Sequence, residues 1–99
     1  MNKQELIQRV SEKTGRSKKE CAAVLDGVLS EITEALQRDE KVKLVNFGSF
    51  ELAHRAARQG RNPRNNQAVA IPARDIPVFK AGRTLRERVD PSEESEADE

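Results

Sequence analysis

Four arginines recur at a spacing of three residues in the middle of the chain, at Arg55, Arg58, Arg61 and Arg64. This spacing is close to helical, but Gly60 and Pro63 interrupt it and would cost about 1 and about 3 kcal/mol inside a helix. The asparagines within residues 62–66 resist a helix as well. The segment is therefore not helical, which leaves a flexible basic loop or an arginine-bearing β-ribbon.

A ribbon explains more of this segment than a loop does. Residues 67–73 are typical of a returning strand, with Val69 and Ile71 on one face. The stretch 64–66 can turn the chain, because Asn tolerates positive φ. We predict a two-stranded arm over about residues 53–76. Ten residues of strand extend about 33 Å, which is long enough to follow a duplex groove.

The prolines of this region are compatible with the ribbon. Proline cannot donate to a β-ladder, so it is confined to edges, and both strands of a two-stranded ribbon are edges. Pro63, Pro72 and Pro77 are therefore expected on the unpaired side. Arginine and proline on an exposed edge also discourage edge-to-edge aggregation.

The net charge of +1 hides three blocks of very different charge. Residues 1–52 are balanced, residues 53–88 carry +7, and residues 89–99 carry −6. Such asymmetry indicates a segment that binds a polyanion, followed by an acidic tail. The tail, residues 90–99, is expected to be disordered because it offers almost no apolar side chain to a core.

Two capped helices are predicted in the first 40 residues. Asn2 with Glu5 begins a short helix that Gly15 ends, and residues 17–20 form a second capping box. The helix that follows has apolar residues at three- and four-residue steps to about Gln37. Its apolar stripe is wide for one small sheet, so we expect a second subunit to cover part of it in an intertwined homodimer.

The remaining elements complete an α+β fold. Residues 42–52 alternate like a hairpin, with Gly48 predicted at the tight turn. Residues 76–80 resume an apolar strand, and residues 83–89 form a short helix. The three phenylalanines lie in strand regions and are expected in the core. The fold is a helical base with a small antiparallel sheet extended into a long β-ribbon arm.

Several functional classes find no support in these residues. The single Cys21 falls on the apolar helix stripe and is read as a core residue, and one Cys with one His gives no metal framework. No nucleophile–base pair is apparent, so neither an enzyme nor a bound cofactor is expected. No apolar stretch approaches a membrane span, and the start does not resemble a signal peptide. A cytoplasmic protein is the expectation.

Four motifs together resemble the bacterial histone-like HU/IHF family: NFGSF at residues 46–50, RAARQGRNP at 55–63, IPA at 71–73 and VFKAGRTL at 78–85. The resemblance runs without gaps from Met1 to about Val89 and leaves out the acidic tail. It implies a dimer, with a domain over residues 1–89, whose two arms embrace duplex DNA in the minor groove. Members of this family are themselves known examples of bending by an apolar wedge at a base step.

The resemblance also implies roles for individual residues. Pro63 matches the wedge, and Asn62 could reach base-edge acceptors on the groove floor. The arm positions near sugar and phosphate are matched by Arg55, Arg58, Arg61 and Arg64. Further DNA contacts are expected from Lys3, Asn46, Arg74, Lys80, Arg83 and Arg86. His54, at the base of the arm, is expected to make a polar or phosphate contact.

The function implied is a nucleoid-associated protein that binds duplex DNA with little sequence preference, bends it and compacts it. Bent, nicked or distorted duplexes are the expected preference, because they cost less to deform. Two alternatives stay open: a sequence-preferring IHF-like subunit of a heterodimer, and a protein-interaction module whose arms bind an acidic partner. The sequence does not determine whether the chain also binds RNA. The acidic tail is either a solubilising end or a competitor with DNA for the arms.

Overall fold

A computed structural model describes residues 1–92 of the chain, so most of the predicted acidic tail, residues 93–99, lies outside the described residues. Three helices and five strands follow in the order α1 Lys3–Thr14, α2 Lys18–Gln37, β1 Val42–Leu44, β2 Gly48–Arg55, β3 Arg58–Arg61, β4 Ala68–Ile71, β5 Arg74–Ala81 and α3 Arg83–Val89. The predicted α+β class is confirmed. None of the helices within residues 1–92 is both long enough and apolar enough to cross a bilayer.

Both predicted capping boxes are present. The Asn2 side chain accepts from the backbone N–H of Glu5 at 2.9 Å, and the Glu5 carboxylate accepts from that of Asn2 at 3.0 Å. Ser17 and Glu20 make the same reciprocal pair at 3.0 and 3.2 Å. Gly15 ends α1 with a φ of 75°, which is why glycine suits this position. Local sequence signals therefore set the bounds of α1 and the start of α2.

The main sheet is antiparallel and has the strand order β1-β2-β5. The β1–β2 hairpin is as predicted, but the expected turn at Gly48 is wrong. The turn spans residues 45–47, where Asn46 takes a φ of 68°, and Gly48 is already paired with Leu44 as the first residue of β2. Glycine is needed there for space, because a Cβ would stand 2.5 Å from the Lys80 carbonyl oxygen and 2.6 Å from the Phe79 ring.

The predicted arm is one long hairpin with an interruption. β2 pairs with β5 from Gly48↔Ala81 to Arg55↔Arg74, and β3 pairs with β4 from Arg58↔Ile71 to Arg61↔Ala68. The register is the same on both sides of the break, so residues 56–57 lie opposite residues 72–73. Pro72 cannot donate a hydrogen bond, which accounts for a loss of ladder at this point. Of the three prolines expected on the unpaired side of the ribbon, Pro77 lies within β5, whereas Pro72 lies in this interruption and Pro63 lies in the turn between β3 and β4.

The core of the single chain is small. Among residues 1–92, the buried apolar side chains are Cys21 and Ala35. On α2, Val28 and Leu29 are each 47% exposed. The phenylalanines cluster, with Phe79 4.9 Å from Phe50 and 5.5 Å from Phe47 between ring centroids, yet Phe47 and Phe79 keep more than two fifths of their surface exposed. A chain that leaves this much apolar surface uncovered needs a further partner to complete its core.

Candidate nucleic-acid interface

The arm combines high positive charge with an absence of acids. Residues 55–74 contain five arginines and no Asp or Glu. None of the salt bridges formed within residues 1–92 involves these arginines. At the root of the arm, Arg55 lies directly opposite Arg74. Like charges facing each other across a ladder are destabilising, so this arrangement indicates a surface made for an anionic partner.

Farther along the arm, the arginines face small or aliphatic residues. Arg58 is paired with Ile71 and Arg61 with Ala68, and the two arginines point to opposite faces because they are three residues apart in a strand. A Cβ on Gly60 would meet the Ile71 side chain at 2.5 Å. The missing side chain at Gly60 therefore gives the Ile71 side chain room to lie against β3.

Hydrogen bonds fix the tip of the arm. The last backbone pair runs from Asn62 N–H to the Gln67 carbonyl at 2.9 Å, and Asn66 N–H donates to the Asn62 carbonyl at 2.7 Å. The predicted turn at the asparagines is confirmed, with Asn66 at a φ of 59°. Pro63 stands exposed in this loop and has no N–H to leave without a partner. The tip thus presents a rigid apolar ring to solvent.

Asparagine and arginine side chains hold the same loop. The side-chain Oδ1 of Asn62 accepts from the backbone N–H of Arg64 at 2.9 Å, and the Oδ1 of Asn65 accepts from the backbone N–H of Gln67 at 3.1 Å. Arg61 Nη1 donates to the Asn66 carbonyl at 3.1 Å. Asn62 and Arg61, both predicted DNA contacts, therefore also shape the turn. Sequence patterns alone do not indicate this structural role.

His54 links the root of the arm to the helical base. Its Nδ1 lies 2.7 Å from Asp75 on the neighbouring strand, and its Nε2 lies 3.4 Å from Asp39 in the connection after α2. The hydrogen bond with Asp75, together with the charge of Asp39, raises the pKa of His54 above its ordinary value. His54 was expected to make a polar or phosphate contact; in this structure, acids of the same chain occupy both ring nitrogens.

On the body, one open concavity of about 900 Å³ gathers four of the predicted contacts, namely Asn46, Lys80, Arg83 and Arg86. Asn46 accepts a 3.5 Å hydrogen bond from Thr84 of α3, which ties the β1–β2 turn to that helix. Lys3 is not part of this group, because it begins α1 and pairs with Asp26 of α2 at 2.6 Å. The predicted body contacts thus fall into two separate places.

The concavity also includes two basic residues that the sequence motifs do not single out, Lys41 and Lys43. The alternation of basic and apolar residues along the sequence could have identified these two lysines. Side chains on one face of a strand recur every two residues, and Lys41 and Lys43 alternate with the more apolar Val42 and Leu44. By the same register, the face that carries Lys80 also carries Arg55 and Arg74 at the arm root. One face of the sheet is therefore basic from the body to the arm.

Comparisons with known proteins agree with this geometry. The family model described as bacterial DNA-binding protein matches residues 1–90. The chain is 48% identical to DNA-binding protein HU of Geobacillus stearothermophilus over 89 residues, which are 90% of this chain and 99% of the relative. The HU of Thermotoga maritima is 49% identical over the same share of both chains.

Solved structures give the same result. The Anabaena HU–DNA cocrystal structure matches with a TM-score of 0.86 and 49% identity, over 92% of this chain and 99% of that chain. HU from Thermotoga maritima matches with a TM-score of 0.65 and 40% identity, over 91% and 100% of the two chains. The arm, the helical base and the sheet are therefore features that this chain shares with HU structures along nearly its whole length.

Proposed function

This chain belongs to the bacterial DNA-binding protein family that includes HU, and on that basis we propose that it is a histone-like architectural protein that binds and bends duplex DNA. The observation that carries the proposal is the acid-free arm, with five arginines between residues 55 and 74 and an exposed proline at its tip. A similar chain in the Anabaena cocrystal is bound to DNA. No catalytic step and no cofactor are part of this function.

Binding is proposed to be electrostatic and largely independent of sequence. The arginines Arg55, Arg58, Arg61, Arg64 and Arg74 would neutralise phosphates and release counterions, so affinity falls steeply with salt. The minor groove offers the arm a degenerate pattern of base edges, and Asn62 already uses its side-chain oxygen in the turn. Its amide N–H₂ donors would meet acceptors that A·T and T·A pairs present alike. Little sequence preference is the consequence.

Bending is assigned to Pro63. An apolar ring inserted at a base step partly unstacks it and kinks the duplex toward the major groove, as is known for this family. The tip hydrogen bonds hold Pro63 in place, so little of the insertion energy is lost to ordering the loop. Lys3, Asn46, Lys80, Arg83 and Arg86 are proposed to hold the flanking duplex after it has bent.

The active species is proposed to be a homodimer located on the nucleoid. The apolar side chains that α2 and the phenylalanine cluster leave exposed would be covered by a second copy of the same chain. Two arms then grip one duplex from both sides. Residues 1–89 form the DNA-binding domain in this proposal, and residues 90–99 are an acidic extension.

A salt-titrated gel shift tests the proposal. Wild type is compared on a linear duplex and on a nicked duplex of the same sequence, with Arg58→Ala as arm variant and Arg9→Ala as the matched charge change outside the arm. We expect tighter binding to the nicked duplex, because the deformation cost is lower. Arg58→Ala should reduce the slope of log affinity against log salt by about 0.9 for each phosphate that the complex no longer neutralises, and Arg9→Ala should leave the slope unchanged.

Two results would contradict the proposal: equal slopes for wild type and Arg58→Ala, or no preference for the nicked duplex. Selection from a pool of random duplexes addresses sequence preference separately. A strong consensus in the selected pool would assign the chain to a sequence-preferring role, as in the IHF branch. A complex in cell extract that survives nuclease treatment would favour an acidic protein partner instead.

A further inference from the structure

Glu51 occupies an unusual place on the basic face of the sheet. The face carries Lys41, Lys43, Ser49, Glu51, Ala53, Arg55, Arg74, Ile76, Val78 and Lys80, as the register of the three strands requires. Glu51 is the only acid among these ten residues. An acid in this position would be expected to weaken the attraction of an anion, so its presence calls for a physical reason.

The contacts of Glu51 supply that reason. One carboxylate oxygen lies 2.8 Å from Lys80 Nζ and the other lies 3.4 Å from Lys41 Nζ. Glu51 is in the middle strand, whereas Lys41 adjoins β1 on one side and Lys80 is in β5 on the other. A single carboxylate therefore holds two lysines from opposite edges of the sheet, whose ammonium groups would otherwise repel each other.

Burial differs between the three side chains. Glu51 is 22% exposed, whereas the side chains of Lys41 and Lys80 are 59% and 68% exposed. The carboxylate thus lies beneath the two ammonium groups, and an approaching phosphate would meet the lysines first. Hydrogen bonding from Lys80, assisted by Lys41, lowers the pKa of Glu51 against the opposing effect of burial, so the carboxylate stays ionised.

We propose that Glu51 is a positioning residue that holds Lys41 and Lys80 side by side as a paired phosphate contact for duplex DNA beyond the arms. The proposal rests on the proposed function of the chain. Each ammonium group has three N–H donors, and one directed at Glu51 leaves two for a phosphate. A lysine that is already held loses less rotamer freedom on binding than a free one, which favours the bound state.

The variant Glu51→Gln distinguishes this role from simple charge repulsion, because the two predict opposite signs. Removing a negative charge from a basic face should strengthen DNA binding if only net charge matters. The positioning role predicts binding weaker by about two- to fivefold, the range expected for loss of exposed ion pairs. Glu31→Gln on α2 is the matched control, since it makes the same charge change away from this face. It should bind as wild type or slightly more tightly.

Affinities are measured for the full chain on a duplex that extends past the arms, at one fixed salt concentration, after thermal melts show that each variant is folded. A double-mutant cycle then tests whether Glu51→Gln weakens binding through the two lysines. In a Lys41→Ala/Lys80→Ala background, Glu51→Gln should no longer weaken binding, because there are no lysines left to position. If Glu51 only stabilised the fold, Glu51→Gln would still weaken DNA binding in that background.

Tighter binding by Glu51→Gln, or an equal weakening of affinity in the background without the two lysines, would overturn the proposal. Glu51→Asp provides a further check, since it should restore part of the affinity by returning the charge. Failure of the proposed function is distinguishable from these results. In that case wild type itself would show no salt-dependent DNA binding, whereas here wild type binds and only the response to Glu51→Gln differs.

Discussion

At the scale of single residues, Gly48 and His54 have neighbours in the folded chain that local sequence patterns do not specify. Gly48 was expected to make a turn and instead gives room for the Phe79 ring within the sheet. His54 was expected to make a polar or phosphate contact, and its polar contacts are with Asp75 and Asp39 of the same chain. Both roles depend on neighbours more than 10 residues away in sequence, which local patterns do not report.

Adding one methyl group at Gly48 is predicted to destabilise the protein. Gly48→Ala places a Cβ against the Lys80 carbonyl oxygen and the Phe79 ring, and neither can move without disturbing the β2–β5 ladder. We expect a decrease of about 1–3 kcal/mol in the free energy of unfolding, as for other overpacked sites. Urea unfolding measures it. Gly27→Ala is the control, because a Cβ there meets nothing within 4 Å; it should be neutral or stabilising, and equal decreases for both variants would contradict the steric explanation.

His54 is predicted to make stability depend on pH near neutrality. Its pKa is raised in the folded chain above the ordinary value of 6.5, so its ion pairs contribute fully below that value and are lost as pH rises through the folded pKa. His54→Gln should therefore lower the melting temperature more at about pH 6 than at about pH 8.5. Thermal melts of both proteins at one protein concentration measure the difference in melting temperature between wild type and His54→Gln at each pH. A difference in melting temperature that does not change with pH would contradict this role of His54.

At the scale of elements, the hairpin from β2 to β5 keeps one register from the sheet to the tip, with a break at residues 56–57 and 72–73. The tip is held by backbone pairs and by side-chain hydrogen bonds from Arg61, Asn62 and Asn65. The strands thus deliver a rigid loop, with Pro63 exposed, at the end of an arginine-bearing ribbon. The arginines proposed to bind phosphate and the proline proposed to bend the duplex are therefore separate parts of the same hairpin.

Because the phosphate-binding arginines are separate from Pro63, Pro63→Ala should reduce DNA bending more than it reduces DNA binding. The arginines that contact phosphate remain, whereas the rigid apolar ring that would unstack a base step is removed. Fluorescence resonance energy transfer between the ends of a labelled duplex reports the bend, and a gel shift reports affinity. Pro77→Ala, in β5, is the matched control. Equal bending by Pro63→Ala and wild type at saturation would remove Pro63 from the mechanism.

At the scale of the whole molecule, exposed apolar surface is the dominant feature. Val24 is 67% exposed, and Val28, Leu29, Phe47 and Phe79 each keep more than 40% of their surface exposed in one chain. Burial of such surface is the main favourable term in association. The stability of this protein should therefore depend on pairing with a second copy, in addition to contacts within the chain.

Stability is accordingly predicted to depend on protein concentration. The melting temperature of wild type should rise with concentration, because association stabilises the folded state by mass action. Leu29→Asp should dissociate or unfold the protein, since it would bury a charge against the second copy. Val45→Asp, the same type of change in an exposed turn, should keep the oligomeric state. Sedimentation measures that state, and a monomeric wild type with a constant melting temperature would contradict the prediction.

The acidic extension is predicted to weaken non-specific binding. Residues 89–99 carry −6 and residues 53–88 carry +7, so we expect the extension to compete with phosphates for the same cations. Deleting residues 90–99 should raise affinity at low salt, and the difference should shrink as salt screens the charges. A gel shift over a range of salt measures it. Unchanged affinity at low salt would leave the extension with a solubilising role only.

The sequence by itself determined the helix caps, the non-helical arm, the turn at the asparagines and the exposed proline, because each follows from the conformational preferences of adjacent residues. The tertiary structure alone decided which residues face each other across the sheet. Glu51 meets Lys41 and Lys80, His54 meets Asp75 and Asp39, and Gly48 meets Phe79 only once the strand register is set. Register joins residues far apart in sequence, and a shift of one position would move every side chain to the opposite face.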